Sequence, residues 1–316
     1  MEYLLLVIGF ILLIKGADVF VDGASKIARK IGIPSIIVGL TIVSIGTSAP
    51  ELAISIISAL DGNGGIAIGN VIGSNMFNAL VVLGATSVIS PIIFKKTTVK
   101  RDYVVDLFAT ILVYILTFGF SMRDGDLSRM DGVILLFICI IYMILLIRIV
   151  RGRDLRNENR DENINIFKNI IVSIIGIIGI VIGGDMVVDN ATVIATTLGM
   201  SEKLVGLTIV AMGTSLPELV TSIVAAIKGE KEIALGNVLG SNIFNLLLII
   251  GTSSAISPFI VSKSLIVDFI ILIISTILIG GMIFLNKKDI KKITRIEGVM
   301  LLAIYVCYLI YIITRN

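Results

Sequence analysis

Apolar runs of about 20 residues recur along the whole chain, separated by short polar segments. That is the length a helix needs to cross the hydrocarbon of a bilayer. The runs predict ten spans, at roughly 3–25, 33–60, 65–92, 103–121, 132–150, 167–197, 204–227, 232–258, 264–285 and 297–313. They are too continuous for the alternating strands of a membrane barrel. The first and sixth are long and carry polar stretches, "KGADVFVDG" and "GGDMVVDN", which read as breaks. The first run has no basic residue before it and no small-residue cleavage site, so it reads as a retained helix.

Basic residues orient the spans, because Lys and Arg concentrate in cytoplasmic loops. With the N-terminus outside, twenty of the 26 basic residues fall on the inner side. They include Lys26, Arg29 and Lys30, the group Lys95 to Arg101, the linker arginines, Lys228 and Lys231, and the group Lys287 to Arg295. Only Arg123, Arg129, Lys203, Lys263 and Arg315 fall outside, and Lys15 lies within the first span. An even number of spans then puts both termini outside the cell (inner) membrane. "RGRDLRNENRDE" (151–162) has no apolar face and reads as a solvated cytoplasmic connector within residues 151–166.

The chain matches itself at an offset of 167 residues. "GLTIVSIGTSAPE" (39–51) falls on "GLTIVAMGTSLPE" (206–218) with ten of thirteen identical, and "GNVIGSNMFN" (69–78) on "GNVLGSNIFN" (236–245) with eight of ten. The offset also carries Asp18 and Asp22 onto Asp185 and Asp189. Two units of five spans result, 1–150 and 167–316. An odd number of spans per unit forces opposite orientations. The predicted fold is therefore an all-α membrane protein of ten transmembrane helices in two inverted-topology five-helix repeats. In secondary transporters of this kind the substrate site lies near the midplane, between the halves.

The repeated strings place polar groups where lipid would be expected. A carboxylate at that depth costs several kcal/mol and normally marks a pathway. Thr47, Ser48 and Glu51 share one helix face, as do Thr214, Ser215 and Glu218; Ser74 pairs with Asn78 and Ser241 with Asn245 at i, i+4. Pro50 and Pro217 lack an N–H, so each frees carbonyls one turn back, near Ser44 to Gly46 and Ala211 to Gly213. Such irregular backbone is tolerated in a membrane only where it lines a cavity or binds something. Gly69, Gly73, Gly236 and Gly240 form two GxxxG patterns, read as packing of the third and eighth spans against the second and seventh. Asp18, Asp22, Asp185 and Asp189 read as structural or interfacial.

Composition narrows the chemistry. The chain has no His, which removes the commonest metal ligand and general base, and with it an intramembrane metalloprotease of the HExxH kind. Its two cysteines, Cys139 and Cys307, sit in apolar runs and read as small buried hydrophobes. What remains is carboxylate, hydroxyl, amide and carbonyl oxygen, the donor set of hard cations such as Ca²⁺, Na⁺ and Mg²⁺. Two carboxylates balance one divalent ion, and the same oxygens shared among several Na⁺ would make an exchanger. A channel would more naturally use a ring of identical subunits. The reading is a transporter, not an enzyme, with no cofactor; beyond the ions and the lipid bilayer, no nucleic acid or protein partner is implied.

"GTSAPE…GNVIGSNMFN" and "GTSLPE…GNVLGSNIFN" resemble the two alpha-repeats of the sodium/calcium exchangers, within the calcium:cation antiporter superfamily, and most of all its short prokaryotic members. The resemblance implies exchange of Ca²⁺ for Na⁺ by alternating access, the first and sixth spans sliding across the rest. It implies Glu51 and Glu218 as central Ca²⁺ ligands. Thr47, Ser48, Thr214 and Ser215 would line Na⁺ and Ca²⁺ positions, with the carbonyls of Ser44 and Ala211. Ser74 and Ser241 would serve flanking Na⁺ positions, and Asn78 and Asn245 the centre. Some members, the potassium-dependent branch among them, carry Asp at the position of Asn245. The proton-coupled branch uses a different string, and Ca²⁺/H⁺ antiport on the same fold is the alternative.

Overall fold

The computed structural model describes residues 1–119, 123–152, 164–199, 211–284 and 290–315. The connector at 153–163 and the start of the seventh span, 204–210, lie outside the described residues.

The first half runs through α1 (Glu2–Ile31), α2 (Ser35–Thr47), α3 (Ala49–Leu60), α4 (Gly64–Ile89), β1 (Ile92–Lys95), α5 (Lys96–Phe118), β2 (Gly125–Leu127) and α6 (Arg129–Gly152). The second follows in the same order with α7 (Ile166–Thr197), α8 (Ala211–Gly213), α9 (Leu216–Ile227), α10 (Lys231–Ile256), β3 (Phe259–Val261), α11 (Leu265–Phe284), β4 (Ile290–Ile293) and α12 (Arg295–Arg315). Among the described residues seven helices are long and apolar enough to cross a membrane, or eight if α2 and α3 count as one broken span. Of the remaining two expected spans, α5 begins with Lys96, Lys100, Arg101, Asp102 and Asp106, and α9 continues a span whose start is not described.

The long helices divide into an inner and an outer set. The most apolar window of α10 is 94% buried, against 17% for α12, so α10 is the molecular centre and α12 its rim. The rim helices carry rows of exposed apolar side chains, such as Phe137, Ile140, Ile144 and Ile147 on α6 and Ile171, Ile174, Ile178 and Ile182 on α7. Such rows suit lipid, not water. Cys307 belongs to this exposed rim, which corrects its expected burial; Cys139 is buried as expected.

The expected breaks in the first and sixth spans are absent: α1 and α7 are continuous helices of 30 and 32 residues. Their glycines serve contact instead. Gly9 meets Met186 and Val187, Gly16 meets Gly179 and Ile180, and Gly23 meets Asn169 and Ser173. Rising numbers on α1 meet falling numbers on α7, so the two run antiparallel. A Cβ on Gly16 would stand 2.7 Å from the Ile180 nitrogen, and one on Gly176 2.6 Å from the Phe20 nitrogen, so the backbones touch only because both are glycine.

Gly236 and Gly240 pack against Ile36, Gly39, Leu40 and Ser44, as the GxxxG pattern predicts, and here the numbers rise together, so α2 and α10 are parallel. The residues 167 positions on from this α2 surface, 203–211, lie almost wholly outside the described residues.

The expectation of an all-helical chain needs one correction. Four short strands form two antiparallel ribbons, β1 on β4 (Ile92↔Ile293) and β2 on β3 (Gly125↔Val261). Each ribbon takes one strand from each half, so main-chain hydrogen bonds join the halves there.

Candidate functional site: a buried cluster of oxygens between the halves

The site begins at two helix breaks. Ser48 leaves helical geometry (φ −84°, ψ 11°), and α2 and α3 meet there at 49°. Ser215 does the same (φ −94°, ψ 6°) ahead of α9. Each is followed by a proline in the first turn, where a missing N–H costs nothing, and then by a glutamate in the same turn. A carboxylate is favoured there by the unpaired N–H groups of a helix start. The repeated "GTS-PE" string therefore ends one helix, starts the next and aims a carboxylate from its first turn.

All ten residues predicted for the site are buried. Glu51 Oε1 accepts from Ser215 Oγ at 3.1 Å and from Ser74 Oγ at 3.5 Å. Glu218 Oε1 accepts from Ser48 Oγ at 2.8 Å and from Ser241 Oγ at 3.4 Å. Each carboxylate thus takes one hydroxyl from its own half and one from the other, and the two sets correspond at the offset of 167. Thr47 Oγ1 donates to Asn237 Oδ1 at 3.1 Å, across the halves. The Ser44 carbonyl accepts from Ser48 N at 3.0 Å and Thr47 Oγ1 at 3.3 Å, so it is engaged inside the helix break. Ala211 opens α8, whose residues pack against α4.

Five oxygens of this cluster have no hydrogen-bond partner among the described residues: Glu51 Oε2, Glu218 Oε2, Thr214 Oγ1, Asn78 Oδ1 and Asn245 Oδ1. A buried polar atom left unpaired costs about 1–3 kcal/mol, so a concentration of them marks a place suited to a polar guest, ion or water. Their chemistry fits a hard cation: carboxylate, hydroxyl and amide oxygen, without sulfur or nitrogen ligands. No group of three or more His, Cys, Asp or Glu suited to a metal ion occurs among the described residues, so charge at the centre comes from the glutamate pair.

Several residues of the site were not picked out by sequence. Asn70 donates to Ser55 Oγ at 3.1 Å and Asn237 to Ser222 Oγ at 2.9 Å, bracing α3 against α4 and α9 against α10. Identity in both copies was the available signal. Asn75 crosses the interface: its Nδ2 donates to the Asn242 carbonyl at 3.1 Å and its Oδ1 accepts from Asn245 at 3.0 Å. Asp106 on α5 is buried, and its Oδ1 has no partner among the described residues; an acid inside an apolar run was its signal. The helix also widens to π geometry over Asn78–Val82 and Asn245–Ile249, starting at the two site asparagines. Such bulges concentrate at functional positions.

The acidic residues outside the centre divide. Asp18 and Asp22 hold Lys228 at 2.7 and 2.6 Å, tying α1 to the end of α9, an interfacial role as expected. Asp185 and Asp189 instead line a cavity of about 270 Å³ that reaches Thr214.

A buried oxygen cluster inside an apolar helical protein fits the class of membrane transporters of cations. Comparison with known proteins agrees. The sodium/calcium exchanger protein family matches residues 1–148 and 168–314. The sodium/calcium exchanger MaX1 of Methanosarcina acetivorans is 33% identical over 98% of this chain and 97% of its own length. The membrane protein MJ0091 of Methanocaldococcus jannaschii is 38% identical over 95% and 94%. Among solved structures, the sodium-calcium exchanger NCX_Mj soaked with 10 mM Na⁺ and zero Ca²⁺ superposes with a TM-score of 0.83 at 34% identity, covering 97% of each chain. The chain belongs to the sodium/calcium exchanger family; it is an integral membrane cation antiporter.

Proposed function

We propose that the protein exchanges Ca²⁺ for Na⁺ by alternating access, with Glu51 and Glu218 as the central ligands. The observation that carries this is the pair of buried carboxylates, each with one oxygen bonded to serines of both halves and the other without a partner among the described residues. Two negative charges offset one Ca²⁺. The free carboxylate oxygens, Thr214, Asn78 and Asn245, together with the serine hydroxyls, number enough for the 6–8 oxygens Ca²⁺ takes. Thr47, Ser48, Ser74, Ser215 and Ser241 re-aim their hydroxyls when Na⁺ replaces Ca²⁺. Because each carboxylate is bonded to both halves, a change of ion alters the forces between the halves, which alternating access requires. The relatives' names support this reading: MaX1 is a sodium/calcium exchanger, and some of the NCX_Mj structures were solved after soaking with Na⁺ and Ca²⁺ or with Na⁺ and Sr²⁺.

In this reading the chain has ten spans in two inverted five-span repeats, 1–150 and 167–316, joined by a cytoplasmic connector at 151–166, with both termini outside. The antiparallel α1–α7 contact and the parallel α2–α10 contact support inversion of the halves. Glu51→Gln and Glu218→Gln are each expected to abolish Na⁺-driven Ca²⁺ uptake in proteoliposomes while the protein still purifies as a folded species. One remaining carboxylate does not repay dehydration of a divalent ion. Uptake near the unsubstituted rate in either variant contradicts the two-carboxylate site.

A further inference from the structure

Asp18 and Asp22, one turn apart on α1, already hold a cation: the Lys228 ammonium lies 2.7 Å from Asp18 Oδ1 and 2.6 Å from Asp22 Oδ1. Their counterparts on α7, Asp185 and Asp189, have the same spacing and no such partner. The residue 167 positions before Lys228 is Asp61, an acid, and among the described residues no basic group is bonded to Asp185 or Asp189. Both are exposed, but into a recess, not onto a flat face: they line the 270 Å³ cavity together with Thr192, Pro50, Pro217 and Thr214. Thr214 is only 7% exposed, its Oγ1 has no hydrogen-bond partner among the described residues, and it neighbours Ser215, which bonds Glu51. One cavity therefore runs from a carboxylate pair with no basic partner among the described residues to Thr214 of the central cluster, whose hydroxyl is itself buried.

We propose that Asp185 and Asp189 form a second cation site, a vestibular site that captures hydrated Ca²⁺ and hands it past Thr214 to the centre. This rests on the exchange reading above. In the first half the same two-carboxylate device is filled by an ammonium that belongs to the protein; in the second it is left for an ion from solution. Exposed carboxylates with water around them bind loosely, so the site concentrates the ion without trapping it. In the orientation proposed above it lies on the outer side.

Mn²⁺, a hard cation with similar oxygen preferences, serves as the probe, followed by electron paramagnetic resonance on the purified full chain. In the Glu51→Gln/Glu218→Gln background, where the centre is silenced, one weak Mn²⁺ site is expected to remain. Adding Asp185→Asn and Asp189→Asn should remove it, and adding Asp185→Glu and Asp189→Glu should keep it. With the centre intact, Asp185→Asn/Asp189→Asn is expected to raise the Ca²⁺ KM on the cavity side on the order of tenfold, with kcat unchanged. Equal Mn²⁺ binding with and without the two aspartates overturns the proposal, as does an unchanged KM. Continued exchange by the doubly amidated centre would instead overturn the central-site reading, and the vestibular site is then judged on the Mn²⁺ titration alone.

Discussion

Asn78 and Asn245 occupy corresponding positions, yet their surroundings differ. Asn245 donates to Asn75, whereas neither amide atom of Asn78 has a partner among the described residues. Both are neutral, so the charge at the centre is that of Glu51 and Glu218. One Ca²⁺ offsets it, and an additional K⁺ would leave net positive charge in a site of low dielectric. Asn245→Asp adds a negative charge beside the pair, and like charges raise one another's proton affinity. The variant is therefore expected to acquire a requirement for an extra cation, seen as a new pH or K⁺ dependence of Na⁺-driven Ca²⁺ uptake. Its absence would mean that Asn245 does not face the ions.

At this scale the sequence was informative where polarity stood out against an apolar background: all ten residues chosen that way are buried, and hydrogen bonds gather the carboxylates and serines. It was less informative about support. Ser55, Asn70 and Asn75 look like ordinary small polar residues until their bonds to a neighbouring helix are seen.

The elements teach a different lesson. Length and apolarity located the long helices, and proline placed the breaks at Ser48 and Ser215. Glycine and aspartate in the first and sixth spans suggested breaks that do not exist, because glycine answers equally to bending and to close approach, and only the neighbouring backbone decides. The strands escaped notice because three or four residues carry too little pattern, although "SP" precedes two of them, at Ile92 and Phe259. The α1–α7 contact is testable. A side chain at Gly16 meets the Ile180 backbone at 2.7 Å, so Gly16→Val must push the helices apart. Overpacking of this kind costs about 1–3 kcal/mol, expected as a lower melting temperature in detergent and slower exchange. Gly65→Ala, where no described atom lies within 4 Å, is the control and should leave both nearly unchanged. Equal effects of the two substitutions would deny the close contact.

For the whole molecule, the offset of 167 residues in the sequence carries through to individual bonds, Ser48 to Glu218 and Ser215 to Glu51. Orientation rests on the uneven distribution of Lys and Arg. In a chain lacking Cys139 and Cys307, an introduced cysteine at Arg156 is expected to label from inside and one at Gly64 from outside; the reverse pattern would invert the topology. The central claim is coupling, and the most direct measurement is uptake of radioactive Ca²⁺ by proteoliposomes under Na⁺, H⁺ or K⁺ gradients imposed one at a time. An exchanger of the proposed kind accumulates Ca²⁺ against its gradient when Na⁺ alone is driven the other way, without K⁺ on either side. Accumulation driven by the H⁺ gradient and indifferent to Na⁺, or Ca²⁺ that only runs downhill, would contradict it.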